Sequence, residues 1–367
     1  MASNPFIYLY TSDYGVYYRD VLNILALPKN MKYRFRYDYD YIPRTLKNEG
    51  DLERLKGCQG LVALKNVHDM SDICIPIRKI LVSRVEPYEE SFVHFEFQLL
   101  DYPQIDSKVI EEFTTFTKQI QNISESSWVN ISELLFHVDK GASDSRNWHL
   151  LVEKISNYGK FKKCIFTKLH SVYDENEQKG TQIHDGCYML KSGHNFTLQF
   201  IHSYAFREDD PEAHKQLEQQ LTKSSIEAFL SYSAKSISPI QVERRIEGRY
   251  DLNKLFFYCP RTMRTESSVL LLEGKQEGEF FLPSLQIPLS IRANFTRDRI
   301  VFLFIGGFLF LGSLIDIFIN WVPQSVLSAW NPWIVNLIQT IKTVGVLAPM
   351  LAIMGAVLVW VQSVPNE

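Results

Sequence analysis

The sequence lacks the motifs of several common enzyme classes. Its 367 residues contain no GxGxxG or GxxxxGK[ST] phosphate-binding loop, no GxSxG nucleophile elbow and no HExxH zinc motif. These absences argue against nucleotide-dependent enzymes, α/β-hydrolases and zinc peptidases in their usual forms. We therefore assign no catalytic residue, no metal site and no cofactor, and predict that the protein is not an enzyme.

Paired cysteines are also missing. The five cysteines are scattered and form no CxxC pair. An odd, dispersed set is typical of reduced thiols rather than of a disulfide framework. The N-terminus, MASNPFIYLY, has no basic segment followed by a long apolar stretch, so we expect no secretory signal.

Charge is scarce at the end of the chain, where the last 68 residues contain only Asp316, Lys342 and Glu367 as charged side chains. Residues 300–322 and 344–361 are apolar runs that would form helices of roughly 34 and 27 Å, against a hydrocarbon core of about 30 Å. The sequence therefore predicts an integral membrane protein with a C-terminal two-helix transmembrane hairpin.

The segment between the two runs, residues 324–343, places apolar side chains at helical spacing, which predicts an interfacial or re-entrant amphipathic segment. Arg292, Arg297 and Arg299 precede the first run, and basic residues favour the cytoplasmic side. We therefore expect a multi-pass protein of the inner (cytoplasmic) membrane with both termini in the cytoplasm.

The preceding region has about 26% charged residues, which is typical of a globular protein. Its pattern predicts an α+β fold that is rich in β-strands: a β-rich domain over residues 1–105, a helical connection over 106–158 and a second β-rich domain over 159–295. Short strands separated by turns predict a β-sandwich or barrel for the second domain.

The clearest strand signal is MKYRFRYDYDYI, residues 31–42, in which aromatic and charged side chains alternate. This pattern predicts a half-buried antiparallel strand. Alternatively, Lys32, Arg34 and Arg36 could form a basic surface for phosphate with tyrosines available for stacking. The order of a short strand, a helix, this alternating strand and then IPIRKILVSRV resembles that of the small PUA-like barrels, some of which bind nucleic acid.

Two other clusters have alternative interpretations. Arg244, Arg245 and Arg249, within ERRIEGR, indicate either a solvated charged surface or an anion site. The histidines at 184, 194 and 202 are either structural or, with Asp185 and Cys187, part of a metal or Cys/His site.

Small and polar residues recur every fourth position in both apolar runs. Such stripes mediate close helix packing, either within the hairpin or between protomers around a pore. The candidate residues for oligomerisation or a pore are Gly312, Asp316 and Asn320 in the first run and Ala348, Ala352 and Ala356 in the second.

This layout resembles two-pass membrane effectors of bacterial antiviral defence. The resemblance implies a sensor-effector whose cytoplasmic domains bind a ligand, nucleic acid or protein partner, and whose transmembrane hairpin oligomerises to perturb the membrane. The expected partners are therefore the lipid bilayer, further copies of the chain, and a protein or nucleic acid that delivers the signal. The alternative function is a membrane-tethered adaptor with a passive anchor.

Overall fold

The computed structural model describes most of the first 293 residues and part of the tail. The described residues are 7–12, 14–42, 49–65, 73–88, 91–118, 144–204, 211–223, 225–232, 236–245, 252–259, 262, 265–275, 284–293, 307, 321, 323–327 and 329–344. The chain forms two compact units, Met1–Arg292 and Ala293–Glu367.

The first part of the larger unit contains an open five-stranded sheet. Its strands are β1 (Ile7–Ser12), β2 (Lys32–Asp38), β3 (Gln59–Lys65), β4 (Cys74–Tyr88) and β5 (Phe92–Leu99). They are ordered β1-β3-β4-β5-β2, with β1 parallel to β3 and the other pairs antiparallel. Because β1 and β2 lie at opposite edges, the described pairing does not close, and the predicted PUA-like barrel is wrong for these strands.

Helices accompany this sheet and connect it to the second β-rich region. They are α1 (Tyr18–Ala26), α2 (Glu49–Glu53), α3 (Ser107–Lys118) and α4 (Asp144–Ile155), with 3-10 turns at Tyr39–Tyr41 and Gly159–Lys163. Helix α1 ends where Leu27 adopts an extended conformation, with ψ at 140°, directly before Pro28. The residue before a proline disfavours the helical conformation, so the sequence itself ends this helix.

The second β-rich region contains a four-stranded and a six-stranded sheet. Its elements are β6 (Phe166–Asp174), β7 (Lys179–Gly180), β8 (Ile183–His184), β9 (Cys187–Lys191), β10 (Asn195–Ser203), α5 (Pro211–Lys223), β11 (Ser225–Tyr232), β12 (Ser236–Arg245), β13 (Asn253–Tyr258), β14 (Glu266–Lys275) and β15 (Leu285–Arg292). The strand orders are β13-β10-β6-β7 and β12-β11-β14-β15-β9-β8. The β-rich part of the fold prediction is therefore confirmed.

Helix α1 lies at the centre of the larger unit, where it contacts β1, β4, β6 and β15 and so touches all three sheets. Every residue from Val21 to Ala26 is buried. Even the polar Asn23 is used internally, since its Oδ1 accepts the backbone N–H of Gln286 at 2.8 Å. The three sheets thus share one continuous apolar core.

Strand β2 follows the predicted alternation. Phe35 is buried, and Tyr33 and Tyr37 pack against the core, whereas Arg34 and Arg36 are exposed. The strand ends at Asp38, earlier than residue 42, because the Asp38 carboxylate accepts the backbone N–H of Asp40 at 3.0 Å and begins a 3-10 turn. A short polar side chain that bonds to the backbone competes with the strand ladder in this way.

The smaller unit corrects the membrane prediction. Its helices are α6 (Gln324–Leu327) and α7 (Pro332–Val344). Among the residues that the structure describes, no helix combines the length and apolar composition that crossing a bilayer requires. With 13 residues, α7 is about 20 Å long, whereas a hydrocarbon core is about 30 Å thick.

The predicted two-helix transmembrane hairpin, the integral-membrane assignment and the inner-membrane localisation are therefore wrong for the described part of the chain. Most of residues 300–322 and nearly all of 344–361 lie outside the described residues. In the segment predicted to be amphipathic, α7 is helical, with Ile338 buried and Trp333 and Leu337 exposed.

Candidate functional site

The structure distributes the predicted site residues over separate elements. Lys32, Arg34 and Arg36 lie on β2 of the five-stranded sheet, whereas Arg244 and Arg245 end β12 of the six-stranded sheet. Those residues therefore do not belong to one strand or one sheet. Outside the described residues lie Arg249, Gly312, Asp316, Asn320, Ala348, Ala352 and Ala356.

Arg34 and Arg36 belong to a mixed surface that we call the outer face, since it lies opposite the aromatic side of β2. Register places Arg34 opposite Glu96 and Arg36 opposite His94 of β5. The next strand, β4, contributes to the same face. The outer face comprises Lys32, Arg34 and Arg36 of β2, Phe92, His94 and Glu96 of β5, and Arg84, Glu86 and Tyr88 of β4.

Lys32 is already paired with acids. Its Nζ lies 2.6 Å from Asp185 Oδ1 and 3.3 Å from Glu96 Oε1. The hydrogen bond to Asp185 is the main reason that the pKa of Lys32 is raised, and the same bond lowers the pKa of Asp185. Lys32 is therefore a structural link between β2 and the β8–β9 hairpin rather than a free cation for phosphate.

The turn of that hairpin explains how Asp185 reaches β2. Asp185 and Gly186 form a two-residue loop in which both φ angles are positive, at 51° and 78°. Asp-Gly is a favoured sequence for a type I′ hairpin turn, because both residues tolerate positive φ. The Gly186 carbonyl accepts the Lys32 backbone N–H at 3.0 Å. A Cβ at Gly186 would collide with the Lys32 side chain.

The remaining cations of the outer face also meet acids or aromatic rings. Arg34 lies 4.0 Å from Glu86 and contacts Nδ1 of His94, and Arg84 forms an ion pair with Glu86. Burial, followed by the positive charges of Arg34 and Arg36, lowers the pKa of His94. Its ring is therefore neutral at neutral pH, and Nδ1 can accept the Arg34 donor.

Two aromatic contacts complete this surface. The Arg36 guanidinium lies 4.8 Å from the centroid of the Phe92 ring. The His94 ring stacks on Tyr88 with a centroid distance of 4.5 Å. Since Glu86, Glu96 and Asp185 accompany the cations, the outer face is a mosaic of both signs and not a uniformly basic surface.

Among the described strands, β2 lies at one edge of its sheet. Within the described chain, β2 pairs only with β5. The Leu99 N–H donates to the Met31 carbonyl at 2.8 Å, and the Tyr39 N–H donates to the Ser91 carbonyl at 2.9 Å. Odd-numbered residues therefore form the hydrogen-bonded pairs with β5, and the backbone groups of Arg34 and Arg36 point away from it.

A second candidate cluster lies at the β6–β7 turn. Asp174, Glu177 and His194 offer ligand atoms that all lie within 4.8 Å of one another. However, His194 Nδ1 contacts Asp174 Oδ2 at 2.9 Å, and Glu177 forms ion pairs with Lys179 and Lys191. These bonds neutralise the cluster, and a cation would have to displace both lysines from Glu177. The arrangement is that of a cross-linked turn.

The other histidines of the sequence hypothesis lie apart. His202 is fully buried, with Nδ1 2.9 Å from Thr167 Oγ1, while His184 is an exposed residue of the β8–β9 hairpin. Burial lowers the pKa of His202 to about 3, so the ring is neutral. The structure thus separates these two histidines from the His194 cluster.

Sequence reasoning missed several residues of both clusters. Arg84, Tyr88 and His94 belong to no sequence motif. Strand register alone places them on the same face of the sheet as Arg34 and Arg36. Asp174 and Glu177 lie within the turn stretch DENEQKG, residues 174–180, so the turn itself is the available signal for them. Comparison with models of known protein families found no match, and comparison with curated proteins found none either.

Proposed function

We propose that the protein is a non-enzymatic binding protein whose partner is another protein that presents an extended, acidic segment. The segment adds as a strand to the free edge of β2. The observation that carries this proposal is the backbone of Arg34 and Arg36, which points away from β5 at an edge where no described strand pairs. Adding a strand to an exposed sheet edge is a recurrent mode of peptide recognition.

The ends of the free edge define the length of the segment. At one end the Gly186 carbonyl occupies the Lys32 N–H, and at the other the 3-10 turn begins after Asp38. The intervening stretch, from Tyr33 to Asp38, spans about 20 Å at about 3.4 Å per residue. A segment of five or six residues therefore fits this edge.

Charge determines the chemistry of the segment. In a strand added to β2, every second side chain lies on the outer face, within reach of Arg34 and Arg36. Directly opposite residues interact most strongly, so acidic side chains at these positions are favoured. A symmetric pairing of two β2 strands about Phe35 would instead place Arg34 opposite Arg36, and like charges there are unfavourable.

The same charges disfavour a nucleic acid. Binding of a phosphate backbone depends on positive charge that is not cancelled nearby. On the outer face, Glu86 and Glu96 accompany the arginines, and Asp185 lies against Lys32. A peptide with alternating acids matches this mosaic better than a continuous polyanion.

The test is titration of the purified chain with a fluorescent seven-residue peptide of alternating Glu and Val. We expect Arg34→Glu combined with Arg36→Glu to weaken binding at least about tenfold, because two attractive cross-strand pairs become repulsive. Arg84→Glu is the matched control: it reverses a charge on the same face, but on β4 rather than at the edge, and should change the Kd less than about threefold.

A backbone variant separates strand pairing from charge. Arg34→Pro removes an N–H that points away from β5, and proline is tolerated on edge strands. We expect it to bind more weakly than Arg34→Ala, which removes the same charge but keeps the N–H. Equal affinities of these two variants, or tighter binding of single-stranded DNA than of the peptide, would refute the proposal.

A further inference from the structure

Arg78 of β4 is a fully buried arginine. Its Nε donates to the Leu100 carbonyl at 2.6 Å, and its Cζ lies 3.7 Å from the centroid of the Tyr102 ring. Neither Nη1 nor Nη2 has a hydrogen-bond partner, although both atoms are buried. Four of the five guanidinium N–H donors are therefore unused.

No carboxylate among the described residues forms an ion pair with Arg78. Asp101, which precedes Tyr102 in the chain, is 2.7 Å from Lys29 Nζ. Removing a charge from water is costly unless an opposite charge and hydrogen bonds compensate. The Tyr102 ring and the Leu100 carbonyl meet only part of this requirement, since neither gives the Nη atoms a hydrogen bond.

Among the described residues, a second cation lies beside the ring that Arg78 contacts. Lys168 Nζ lies 5.2 Å from the centroid of the Tyr102 ring and 5.7 Å from that of Trp148. Two cations therefore share the ring of Tyr102. The Leu25 carbonyl at the C-terminal end of α1 accepts bonds from Tyr102 Oη at 2.6 Å and Trp148 Nε1 at 3.0 Å. These two bonds hold both rings in place.

A β-bulge in β4 lies directly beside Arg78. Val62 pairs with Arg78 and Ala63 with Pro76, so Ile77 is an extra residue in β4. A bulge of this kind re-aims the side chains beside it and is over-represented next to functional sites. Here it accompanies a run in which Ile77, Arg78 and Lys79 are all buried.

We propose that Arg78 is the anion-binding residue of a buried site that accepts an oxyanion, either free inorganic phosphate or a phosphate or carboxylate group of a small ligand. The two Nη atoms form the end of a planar fork, which matches two oxygens of one oxyanion. Tyr102 fixes the plane of that fork, and Lys168 adds positive charge beside it. This site is independent of the strand edge proposed above for a protein partner.

The test measures thermal unfolding and calorimetric binding of the dialysed full chain with sodium phosphate, sulfate and acetate at matched ionic strength. A ligand that binds only the folded state raises the Tm in a saturable way. We expect this response for the wild-type chain, and at least tenfold weaker binding for Arg78→Met, which keeps an unbranched apolar stem. Arg19→Met is the matched control, since Arg19 is exposed and lies 6.0 Å from the Tyr18 ring.

Lys168→Met provides a second variant if Arg78→Met does not fold, and we expect it to weaken binding about threefold or more. Mass spectrometry of small molecules released on denaturation distinguishes the two sources: a released phosphorylated or carboxylated compound identifies a ligand group, and its absence together with phosphate binding identifies the free anion. A wild-type chain whose Tm responds to none of the three anions up to about 50 mM, and which releases no anionic compound, would overturn the proposal.

Discussion

Two arginines of the same sheet make the same kind of contact in opposite environments. Arg78 on β4 lies 3.7 Å from the ring centroid of Tyr102 in the interior, and Arg36 on β2 lies 4.8 Å from that of Phe92 on an exposed face. Arg36 is exposed, so solvent or a partner can reach its donors. The Nη donors of Arg78 are buried and have no such access. A buried charge is costly unless an opposite charge compensates it, so the same cation–π contact favours binding of an anion in the interior.

His94 and His202 show the same contrast between a more exposed and a buried environment. His94 on the outer face contacts Arg34, and His202 is fully buried beside Thr167. Burial is the largest cause of the lowered pKa in both cases, and at the fully buried His202 it lowers the pKa to about 3. The two histidines therefore differ chiefly in how deeply they are buried.

Replacing a buried aromatic residue should cause the largest loss in the free energy of unfolding. Trp148 is fully buried and donates to the Leu25 carbonyl, so we expect Trp148→Ala to lower the free energy of unfolding by about 4 kcal/mol. Tyr88→Ala on the outer face should cost less than about 1 kcal/mol, since Tyr88 is half exposed. Urea unfolding of both variants measures the difference, and similar losses of stability would contradict this prediction.

Lowering the pH should cause the next largest loss in the free energy of unfolding, because His202 is buried in its neutral form. The folded state holds the ring neutral, whereas an unfolded histidine binds a proton below about pH 6.5. The unfolded chain therefore binds more protons in this range, and stability present above pH 6.5 is lost as the pH falls towards 3. Between pH 6.5 and 5.0 the expected loss from this residue is about 2 kcal/mol.

Urea unfolding at these two pH values in wild type and His202→Gln measures that loss. The variant should show a pH dependence that is smaller by about 2 kcal/mol. His94→Gln is the control and should leave most of the pH dependence in place, because His94 is only partly buried. Equal changes in the two variants would contradict the contrast between the buried His202 and the partly buried His94.

Removing the exposed Lys32–Asp185 ion pair should cause the smallest loss in the free energy of unfolding. Asp185→Asn removes the charge that pairs with Lys32, and we expect a loss of about 0.5 kcal/mol or less after discounting for solvent screening. Because the pKa of Asp185 is lowered, this contribution is present above pH 3.9 and is lost as the pH falls through the lower folded value. A Lys32–Asp185 double-mutant cycle measures the coupling, and a value above about 2 kcal/mol would contradict this ranking.

Several local features could be predicted because they depend on near neighbours in the chain. The aromatic-charged alternation of residues 31–42 correctly assigned the buried side of β2, since side chains of a strand alternate between its faces. The length of the strand was overestimated because Asp38 bonds to the backbone of the next turn. The prediction for the apolar tail was wrong: its hydropathy predicted membrane-spanning helices, and the described residues contain none.

The β-rich architecture and the parity of β2 follow from the amino-acid sequence alone, because both depend on the side-chain period within a few residues. Three other properties come from tertiary structure: Lys32 is held by Asp185 across 153 positions, β2 pairs with β5 alone among the described strands, and Arg78 is buried beside Tyr102 with no ion pair to a described carboxylate. These properties depend on strand order and on which surfaces meet around α1. Such long-range pairings are set by the packing of the whole core, so no local pattern in the chain encodes them.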